Sequence, residues 1–424
     1  METRELVVIG AGAAGTWVAW RAAEAGVRDV LMVEKTPRVG TKILASGGSR
    51  CNLTTTLGPR EAGLLFGTHG ARFLQSAFRV LPPLELRRIF EGLGVASDEA
   101  PLEKVFPRSG SAKDVRDALE AAARRAGVEV QLDSAVRGLV ASEGGWCILL
   151  EGGERVQTKR VVIATGGQSY AATGTTGDAY GWFRELGLRV VEPAPALAPL
   201  LSPAGFVADL AGIALQECEL RLVSAKGKEV ARRRRPLLFT HVGVSGPGPM
   251  DLSRTVGRLP GNYELRVDMA PDSTRDELRD ALIEAAGRAG APQLLTVISH
   301  LLAESAGEAI PKRLIELLLK GVGLTGRAHH QSLGRAARHQ LIELIKGFPI
   351  PISGTAGYDK AEVTSGGLNL SEVDPGTCRV KKQAGLWVVG EALDLDGPIG
   401  GLNFQSAFAT AELAACDISQ MDLE

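Results

Sequence analysis

Three glycines near the amino terminus have the spacing that a bound pyrophosphate requires. Gly10, Gly12 and Gly15 follow the apolar run 6–9, and a helix-like segment, 13–25, comes directly after the first two. In such a turn the first glycine permits the tight bend, the second lets the backbone approach phosphate, and the third lets helix and strand pack closely. The free amides and positive dipole end of the helix then face the anion.

An acidic residue completes this pattern. A second apolar run, Val30–Val33, ends at Glu34, whose carboxylate is suited to accept hydrogen bonds from an adenosine ribose. Strand, glycines, helix, strand and acid within about 30 residues form the dinucleotide-binding fingerprint. We assign Ala13, Ala14 and Lys35 to the same site. The alternative is a glycine-rich turn in some other α/β protein, but the surrounding elements favour dinucleotide binding.

A second candidate site lies near the carboxyl terminus. The apolar run 386–389 ends at Gly390-Glu391, and Gly400-Gly401 precede a helix-like segment. Here the backbone can approach a ligand, Glu391 can hold hydroxyl groups, and the helix amino end can stabilise negative charge. Two helix caps and a surface turn are the alternative.

Composition limits the other possibilities. The chain has 424 residues, 45% of them hydrophobic, and is therefore long enough for two or three domains. Its net charge is −1, so no overall electrostatic field would steer it to nucleic acid or membrane. None of its five cysteines forms a Cys-x-x-Cys pair, so we expect no disulfide framework and no metal site. No signal peptide or membrane span is evident, and we predict a cytoplasmic location.

The order of the patterns predicts one interrupted domain. Prolines cluster in 192–203, the stretch 205–267 is strand-like, 274–346 is helix-like, and the α/β style then returns. We therefore predict an α/β fold whose Rossmann-like dinucleotide-binding domain, 1–190 and 355–424, is interrupted by a β-rich insert, 191–270, and a helical insert, 271–354.

Two local predictions can be checked directly against the structure. A helical pattern covers 71–93, and the glycines and prolines of 246–249 predict a rigid loop. The apolar runs in 128–164 also predict a β-meander.

Four segments together resemble the YhiN/BaiN/RdsA-type FAD-dependent oxidoreductases, also called the aminoacetone oxidase family. The string Ser-Gly-Gly-x-Arg-Cys-Asn at 46–52 is the most specific match. The four segments are Gly10–Gly15 with Glu34, Gly40–Thr54, Ala164–Asp178 and Gly390–Gln405, and smaller matches are at 105–109 and 238–247.

The resemblance implies a FAD domain of glutathione-reductase-like topology with an inserted substrate region. It also implies reduction of a double bond conjugated to a carbonyl by hydride transfer from flavin N5. The implied substrate is a uridine of large-subunit ribosomal RNA, reduced to dihydrouridine, or an unsaturated ketone of steroid type. Glu391 would hold the ribityl hydroxyls. The further cofactor-binding residues that we predict are Lys42, Ser46, Gly47, Gly48, Arg50, Asn52, Ala164, Thr165, Gly166, Asp394 and Asn403.

Such a reaction needs a proton donor, and two residues are candidates. Cys51 lies beside Arg50, which we expect to lower the thiol pKa; the alternative is a small packed residue in a tight loop. His241 is suited to donate a proton or to bind a substrate oxygen, or it is a structural histidine. Tyr170 is a weaker candidate.

The run Arg232-Arg233-Arg234-Arg235 is the dense basic cluster of the sequence. It is predicted to hold RNA phosphates, or it is a solvated hairpin face. Since the sequence has no second strand–GxGxxG–helix pattern, we expect NAD(P)H to act as a transient donor. Two alternative functions stay open: a small-molecule enone reductase or amine oxidase on the same scaffold, and a non-catalytic flavin-binding redox sensor.

Overall fold

The computed structural model describes residues 3–259, 261–287, 293–306, 309–329 and 332–421. The chain divides into two compact units. The first is Met1–Pro195 with Tyr358–Glu424, and the second, Ala196–Gly357, is inserted between these two segments of the sequence. The predicted boundaries at 190 and 355 lie close to these divisions, while the further division of the insert at 270 stays a prediction.

Both units mix strands and helices. The strands are β1 (Arg4–Ile9), β2 (Val30–Val33), β3 (Thr54–Thr55), β4 (Ser97–Ala100), β5 (Lys104–Pro107), β6 (Glu129–Gln131), β7 (Val136–Ser142), β8 (Gly145–Leu150), β9 (Arg155–Ile163), β10 (Val190–Ala196), β11 (Leu200–Leu201), β12 (Ala214–Leu215), β13 (Glu219–Ser224), β14 (Glu229–Arg234), β15 (Leu237–Thr240), β16 (Gly243–Ser245), β17 (Tyr263–Asp268), β18 (Phe348–Ile352), β19 (Gly354–Thr355), β20 (Val363–Leu368) and β21 (Leu386–Val388).

The helices alternate with these strands in the first unit and cluster late in the second. They are α1 (Ala13–Glu24), α2 (Thr41–Ala45), α3 (Pro59–Leu64), α4 (Gly67–Val80), α5 (Pro83–Gly92), α6 (Ala112–Arg125), α7 (Asp178–Glu185), α8 (Gly205–Asp209), α9 (Pro247–Arg258), α10 (Arg275–Gly287), α11 (Leu294–Ala306), α12 (Lys312–Gly321), α13 (Arg335–Gly347) and α14 (Leu402–Gln420).

A seven-stranded sheet forms the centre of the first unit. Its order is β6-β2-β1-β9-β8-β7, with β21 also paired to β9. The strands β6, β2, β1, β9 and β21 are parallel, and β7, β8 and β9 form the predicted antiparallel meander. Every residue of β2 is buried, as expected for a parallel strand covered on both faces. The parallel arrangement brings the carboxyl ends of β1, β2, β9 and β21 to one edge of the sheet.

Helices α1 and α14 are joined by a buried polar contact. Glu412 of α14 is 6% exposed, and its carboxylate accepts a hydrogen bond from Trp17 Nε1 at 2.7 Å. Arg21 donates to both oxygens of the same carboxylate, from Nε at 2.9 Å and Nη2 at 2.9 Å. The Trp17 ring also packs against Phe408 of α14, with the ring centroids 5.0 Å apart. The first and last helices of the chain are therefore held together by one carboxylate and an aromatic contact.

The β-rich and helical parts of the insert share one core in the second unit. The sheet β14-β13-β17-β18 takes its last strand from the segment that follows the helices, and a second sheet has the order β12-β15-β16-β11-β19. Leu220 and Leu265 from the strands lie in the same hydrophobic cluster as Leu314 and Ile345 from the helices. Because β18 completes the strand layer, residues from both parts of the insert contribute to the same sheet and the same core.

Two local predictions are wrong, and proline explains both. The predicted helix over 71–93 is two helices, because Pro82-Pro83 end α4 and begin α5. The expected loop at 246–249 is the first turn of α9, which starts at Pro247. Proline is well suited to this position, since the first amides of a helix have no intrahelical acceptor.

Within the described residues, no helix combines the length and the apolar character needed to cross a membrane.

The Glu412 contact gives a stability prediction. Glu412→Ala leaves Trp17 Nε1 and Arg21 without their carboxylate, so we expect the free energy of unfolding to fall by about 2 kcal/mol. Urea unfolding of the purified variant measures this. The matched control is Glu24→Ala, which removes the exposed carboxylate on the other side of Arg21 and should cost about 0.5 kcal/mol or less. Equal losses in the two variants would contradict the role given to Glu412.

Candidate dinucleotide-binding site

The glycines of the first fingerprint occupy the positions that the sequence predicts. Gly10 has φ of +99°, and a Cβ there would lie 2.7 Å from the Ala164 carbonyl oxygen. A Cβ on Gly15 would lie 1.8 Å from the Gly10 carbonyl oxygen, so no side chain fits between α1 and the turn. A Cβ on Gly12 would meet no atom within 4 Å. Gly12 therefore faces open space, where a ligand can approach the backbone.

The amino end of α1 carries uncompensated positive polarity. Its first intrahelical bond runs from Thr16 N–H to the Gly12 carbonyl at 3.0 Å, so the amides of Ala13 and Ala14 have no partner within the helix. No side chain caps this end, and the first turn contains no acidic residue. The arrangement suits a bound anion.

Glu34 lies at the end of β2 and is oriented by backbone amides. Ala11 N–H donates to its Oε2 at 2.8 Å and Thr36 N–H to its Oε1 at 2.9 Å. Each carboxylate oxygen keeps a second acceptor position, so Glu34 can still accept from ribose hydroxyls. The adjacent Lys35 donates to Asp178 at 2.5 Å and to Thr176 at 2.6 Å, so its cofactor-binding role stays a prediction.

The end of β9 forms the next wall of the site. Ala164 N–H donates to the Ile9 carbonyl at 2.9 Å, which ties this turn to β1. Gly166 has φ of +74°. The Thr165 hydroxyl is buried and has no hydrogen-bond partner among the residues that the structure describes, a state that is costly unless a ligand or water supplies one. Thr165 thus marks a group that a ligand can satisfy.

Glu391 follows β21 and joins three elements. Its Oε2 accepts from Lys42 Nζ of α2 at 2.7 Å, and its Oε1 accepts from Thr364 N–H of β20 at 2.7 Å. Gly390 has φ of +67°, and its N–H donates to the Thr410 hydroxyl at 3.0 Å. The structure thus brings the predicted residues Lys42 and Glu391 into direct contact. Asp394 lies one turn further along, tied through its N–H to the Leu368 carbonyl.

Sequence reasoning missed two neighbours of Glu391. The Thr364 hydroxyl accepts hydrogen bonds from the amides of Gln168 at 2.7 Å and Ser169 at 3.1 Å, and so holds the turn after β9. The glycine pair 366–367, which lies inside the buried strand β20, was an available signal for this segment. Tyr180 of α7 is 2% exposed. Burial raises its pKa, and the negative charge of Glu391 raises that pKa further.

The amino end of α14 has the geometry that the glycine pair predicts. Gly401 has φ of +77°, and a Cβ there would lie 1.9 Å from the Thr54 carbonyl oxygen. Gly400 also has a positive φ, of +141°. No acidic residue lies in the first turn of α14, and no side chain caps it. Asn403 instead clamps the preceding loop, since its side chain bonds both the N–H and the carbonyl of Gly397.

The loop over 46–52 is tightly folded. Gly47 and Gly48 have φ of +55° and +65°. The Ser46 hydroxyl donates to the Ile43 carbonyl at 2.7 Å, and Asn52 Oδ1 accepts from Val105 N–H at 3.1 Å. The side chains of Ser46 and Asn52 therefore hold the loop, and their direct contact with a cofactor stays a prediction.

The expected activation of Cys51 by Arg50 is wrong. Cys51 is fully buried, and burial raises the pKa of its thiol to about 12. The Arg50 guanidinium lies over the Phe106 ring, 4.6 Å from its centroid, rather than on the thiol. Sequence proximity failed here because Cys51 has a left-handed backbone, with φ of +59°, and turns its side chain inward. This geometry favours the packing role that the sequence left open for Cys51.

His241 lies in the second unit. It is exposed in the turn between β15 and β16, and Thr240 Oγ1 donates to the Gly243 carbonyl across the same turn at 3.0 Å. Its role as a proton donor stays a prediction. In the described part of the chain, no cluster of three or more His, Cys, Asp or Glu residues could hold a metal ion.

The four arginines of the basic run are paired with carboxylates. Arg234 donates to both oxygens of Asp272, at 2.8 and 2.6 Å. Arg232 is bonded to Glu229 at 2.9 Å. Further ion pairs among the described residues join Arg232 with Glu219, Arg234 with Glu217, and Arg233 and Arg235 with Asp251. Each of the four guanidinium groups therefore lies close to at least one carboxylate. Since β14 is an edge strand, these charges also protect it from pairing with other chains.

Comparison with known proteins shows the family of the chain. Residues 4–417 match the family model described as HI0933-like protein Rossmann domain. The chain is 30% identical over 421 residues to the ribosomal RNA dihydrouridine synthase of Escherichia coli, with 99% of this chain and 98% of that protein covered. It is also 30% identical over 417 residues to the 3-dehydro-bile acid delta(4,6)-reductase of Clostridium scindens, with 96% and 97% covered.

A solved structure supports the fold. The 3-ketosteroid-delta4-(5alpha)-dehydrogenase of Rhodococcus jostii RHA1 matches with a TM-score of 0.50 at 15% identity, over 99% of this chain and 100% of that one. The chain therefore belongs to the HI0933-like family and has an α/β fold with a Rossmann-type domain. The resemblance to the FAD-dependent oxidoreductases that the sequence motifs indicated is confirmed.

The contrast between two glycines gives a prediction for this site. Gly15→Ala forces a methyl group onto the Gly10 carbonyl, so we expect the free energy of unfolding to fall by about 2 kcal/mol or more. Gly12→Ala has room for its methyl group and should change stability by about 0.5 kcal/mol or less, yet the methyl group occupies the space where pyrophosphate approaches. We expect it to weaken dinucleotide binding by about tenfold or more.

Thermal unfolding of the flavin-free variants and titration with FAD separate these two effects. The account of the turn is contradicted if Gly12→Ala unfolds as easily as Gly15→Ala, or if it binds FAD as tightly as the unaltered chain.

Proposed function

We propose that the first unit binds FAD and that the protein reduces a carbon–carbon double bond conjugated to a carbonyl group. The amides of Gly12, Ala13 and Ala14 would hold the pyrophosphate, and Glu34 the adenosine ribose. Lys42 and Glu391 would lie along the ribityl chain. Once bound and reduced, FAD supplies a hydride from its N5 atom.

The main observation that supports this proposal is that one unit contains two helix amino ends that no side chain caps, among the described residues, and two carboxylates that hydrogen bonds orient. The amino end of α1 and Glu34 suit the two parts of an adenosine diphosphate group. The amino end of α14 suits negative charge on the N1–C2=O side of a reduced flavin. A dinucleotide with an electron-accepting ring would use the amino ends of both helices, so the arrangement favours FAD.

The reaction also requires a proton for the carbon next to the carbonyl. A thiol whose pKa is about 12 is a poor acid at neutral pH, and Cys51 is fully buried. His241 is the exposed one of the two predicted donors, and we retain it as the candidate.

We further propose that NAD(P)H reduces the flavin by a transient visit and that the protein acts in the cytoplasm. The absence of a second GxGxxG fingerprint from the sequence supports a transient donor.

Two substrates are compatible with this chemistry. A uridine of large-subunit ribosomal RNA remains the leading candidate, since two of the curated relatives, from Escherichia coli and Haemophilus influenzae, are named ribosomal RNA dihydrouridine synthases. The pairing of Arg232–Arg235 with carboxylates argues against RNA binding by that run and favours the second candidate, a small enone. The bile acid reductase of Clostridium scindens, at the same 30% identity, also supports it.

Reoxidation of the reduced protein distinguishes these substrates. The flavin is reduced anaerobically and mixed with a ribosomal RNA fragment that contains uridine, or with an uncharged cyclic enone, while flavin absorbance and product mass are followed. We expect the flavin to be reoxidised and the accepted substrate to gain two hydrogen atoms. Reoxidation by dioxygen alone, with neither substrate changed, would contradict reduction of a conjugated double bond.

The same assay, applied to Arg234→Gln, tests whether the arginine run binds RNA. Because Arg234 is already bonded to Asp272, we expect turnover of the RNA fragment to be unchanged and its salt dependence to keep the same slope. A shallower salt dependence in this variant would assign the run to RNA binding after all.

A further inference from the structure

Arg50 lies in a strained segment of the first unit. Both of its neighbours have left-handed backbone without being glycine: Ser49 has φ of +65° and Cys51 of +59°. Such a backbone conformation is strained for a residue other than glycine and persists only where the surroundings enforce it, which is common at ligand-binding loops. The strain on both sides of Arg50 indicates that the position of this side chain matters.

The surroundings hold the segment from both ends. Cys51 anchors it through a fully buried side chain and through an N–H that donates to the Ser46 carbonyl at 3.1 Å. Ala112 N–H, at the start of α6, donates to the Ser49 carbonyl at 2.9 Å. The backbone that carries Arg50 is therefore fixed.

The Arg50 side chain is fixed as well, yet it remains accessible. The carbon of its guanidinium lies over the Phe106 ring, 4.6 Å from the ring centroid, and its Nε makes one long bond, of 3.5 Å, to the Gly47 carbonyl. The residue is exposed, and within the described residues no carboxylate forms an ion pair with it. The nearby Arg108, in contrast, is paired with Asp98 at 3.0 Å. A guanidinium that lies over a ring and has no carboxylate partner keeps N–H donors for a planar or tetrahedral anion.

The neighbouring elements add positive polarity. Phe106 lies in β5, whose partner strand β3 contains Thr54. The Thr54 carbonyl touches Gly401, and the Thr54 hydroxyl donates to Gln405 at 2.6 Å, so the segment is attached to the amino end of α14. That end has no acidic residue in its first turn. That end is the one proposed above to lie at the flavin ring, so the segment that carries Arg50 is connected to the flavin end of the proposed site.

We propose that Arg50, which lies over Phe106, binds a phosphate group of the electron donor or of the substrate, in place of the FAD contact that the sequence predicts for it. This inference rests on the proposed function for its reaction and adds the ligand chemistry. A nicotinamide nucleotide and an RNA backbone both carry such a group. An uncharged enone carries no phosphate group, so Arg50 should not contribute to its binding.

Two half-reactions of the flavin-loaded protein identify the source of the phosphate. Reduction of the flavin by NADPH and its reoxidation by a uridine-containing RNA fragment are measured over a range of concentrations for the unaltered chain and for Arg50→Gln. We expect the concentration for half-maximal rate to rise by about tenfold or more in one of the two steps. In that step the salt dependence should become shallower by about one unit of slope. Reoxidation by an uncharged cyclic enone should be unaffected.

Three variants serve as controls. Arg50→Lys keeps the charge but loses the planar fork, so it should fall between Arg50→Gln and the unaltered chain. Phe106→Leu removes the ring that fixes the guanidinium and should weaken the same step. Arg108→Gln removes a neighbouring exposed cation that is already paired and should behave like the unaltered chain.

The inference is overturned if Arg50→Gln matches the unaltered chain in both steps, or if Arg50→Gln loses its flavin, since the arginine would then hold FAD. Fluorescence anisotropy of the labelled RNA fragment and the NADPH step do not depend on which double bond is reduced. An Arg50 effect in either of them, together with no reoxidation by any conjugated substrate, would support the phosphate contact and contradict the proposed reaction.

Discussion

The close approach of α1 to the end of β1 is the constraint on which the site depends. No side chain fits between Gly15 and the Gly10 carbonyl, so the helix starts directly above the turn and points its free amides at the edge of the sheet. The ends of β2, β9 and β21 meet the same edge, and hydrogen bonds from Gly10 to Val33 and from Val389 to Ile163 tie them together. The residues that we propose to bind the dinucleotide are far apart in sequence, and this arrangement brings them to one edge of the sheet.

The charged side chains fall into two groups: those that are paired within the protein and those that keep positions for a ligand. Glu34 and Glu391 are oriented by backbone amides and keep acceptor positions for a ligand. Each arginine of 232–235 lies near a carboxylate of the second unit, whereas Arg50 lies over the Phe106 ring. Accessible cations that the protein has not already neutralised are better indicators of ligand binding than dense runs of basic residues.

The sequence predicted the parts of the fold that follow from local pattern. Glycine spacing and buried apolar runs located the site at Gly10–Gly15 and Gly390–Gly401, and alternating patterns predicted the meander of β7–β9. Prediction failed where proline has two roles: Pro82-Pro83 divide what the sequence predicts as one helix, and Pro247 begins a helix where the sequence predicts a loop. It also failed at Cys51, because the direction of a side chain in a left-handed loop depends on tertiary packing that spacing does not encode.

The central claim is that one dinucleotide binds across these strand ends, with its adenosine part at Glu34 and Gly12 and its flavin near the amino end of α14. Titration of the flavin-free protein with FAD, followed by flavin fluorescence, tests it most directly. The account predicts one FAD bound per chain, with ADP competing for the adenosine part of the site. A cooperatively folded protein that takes up no FAD, or that binds it without competition from ADP, would contradict it.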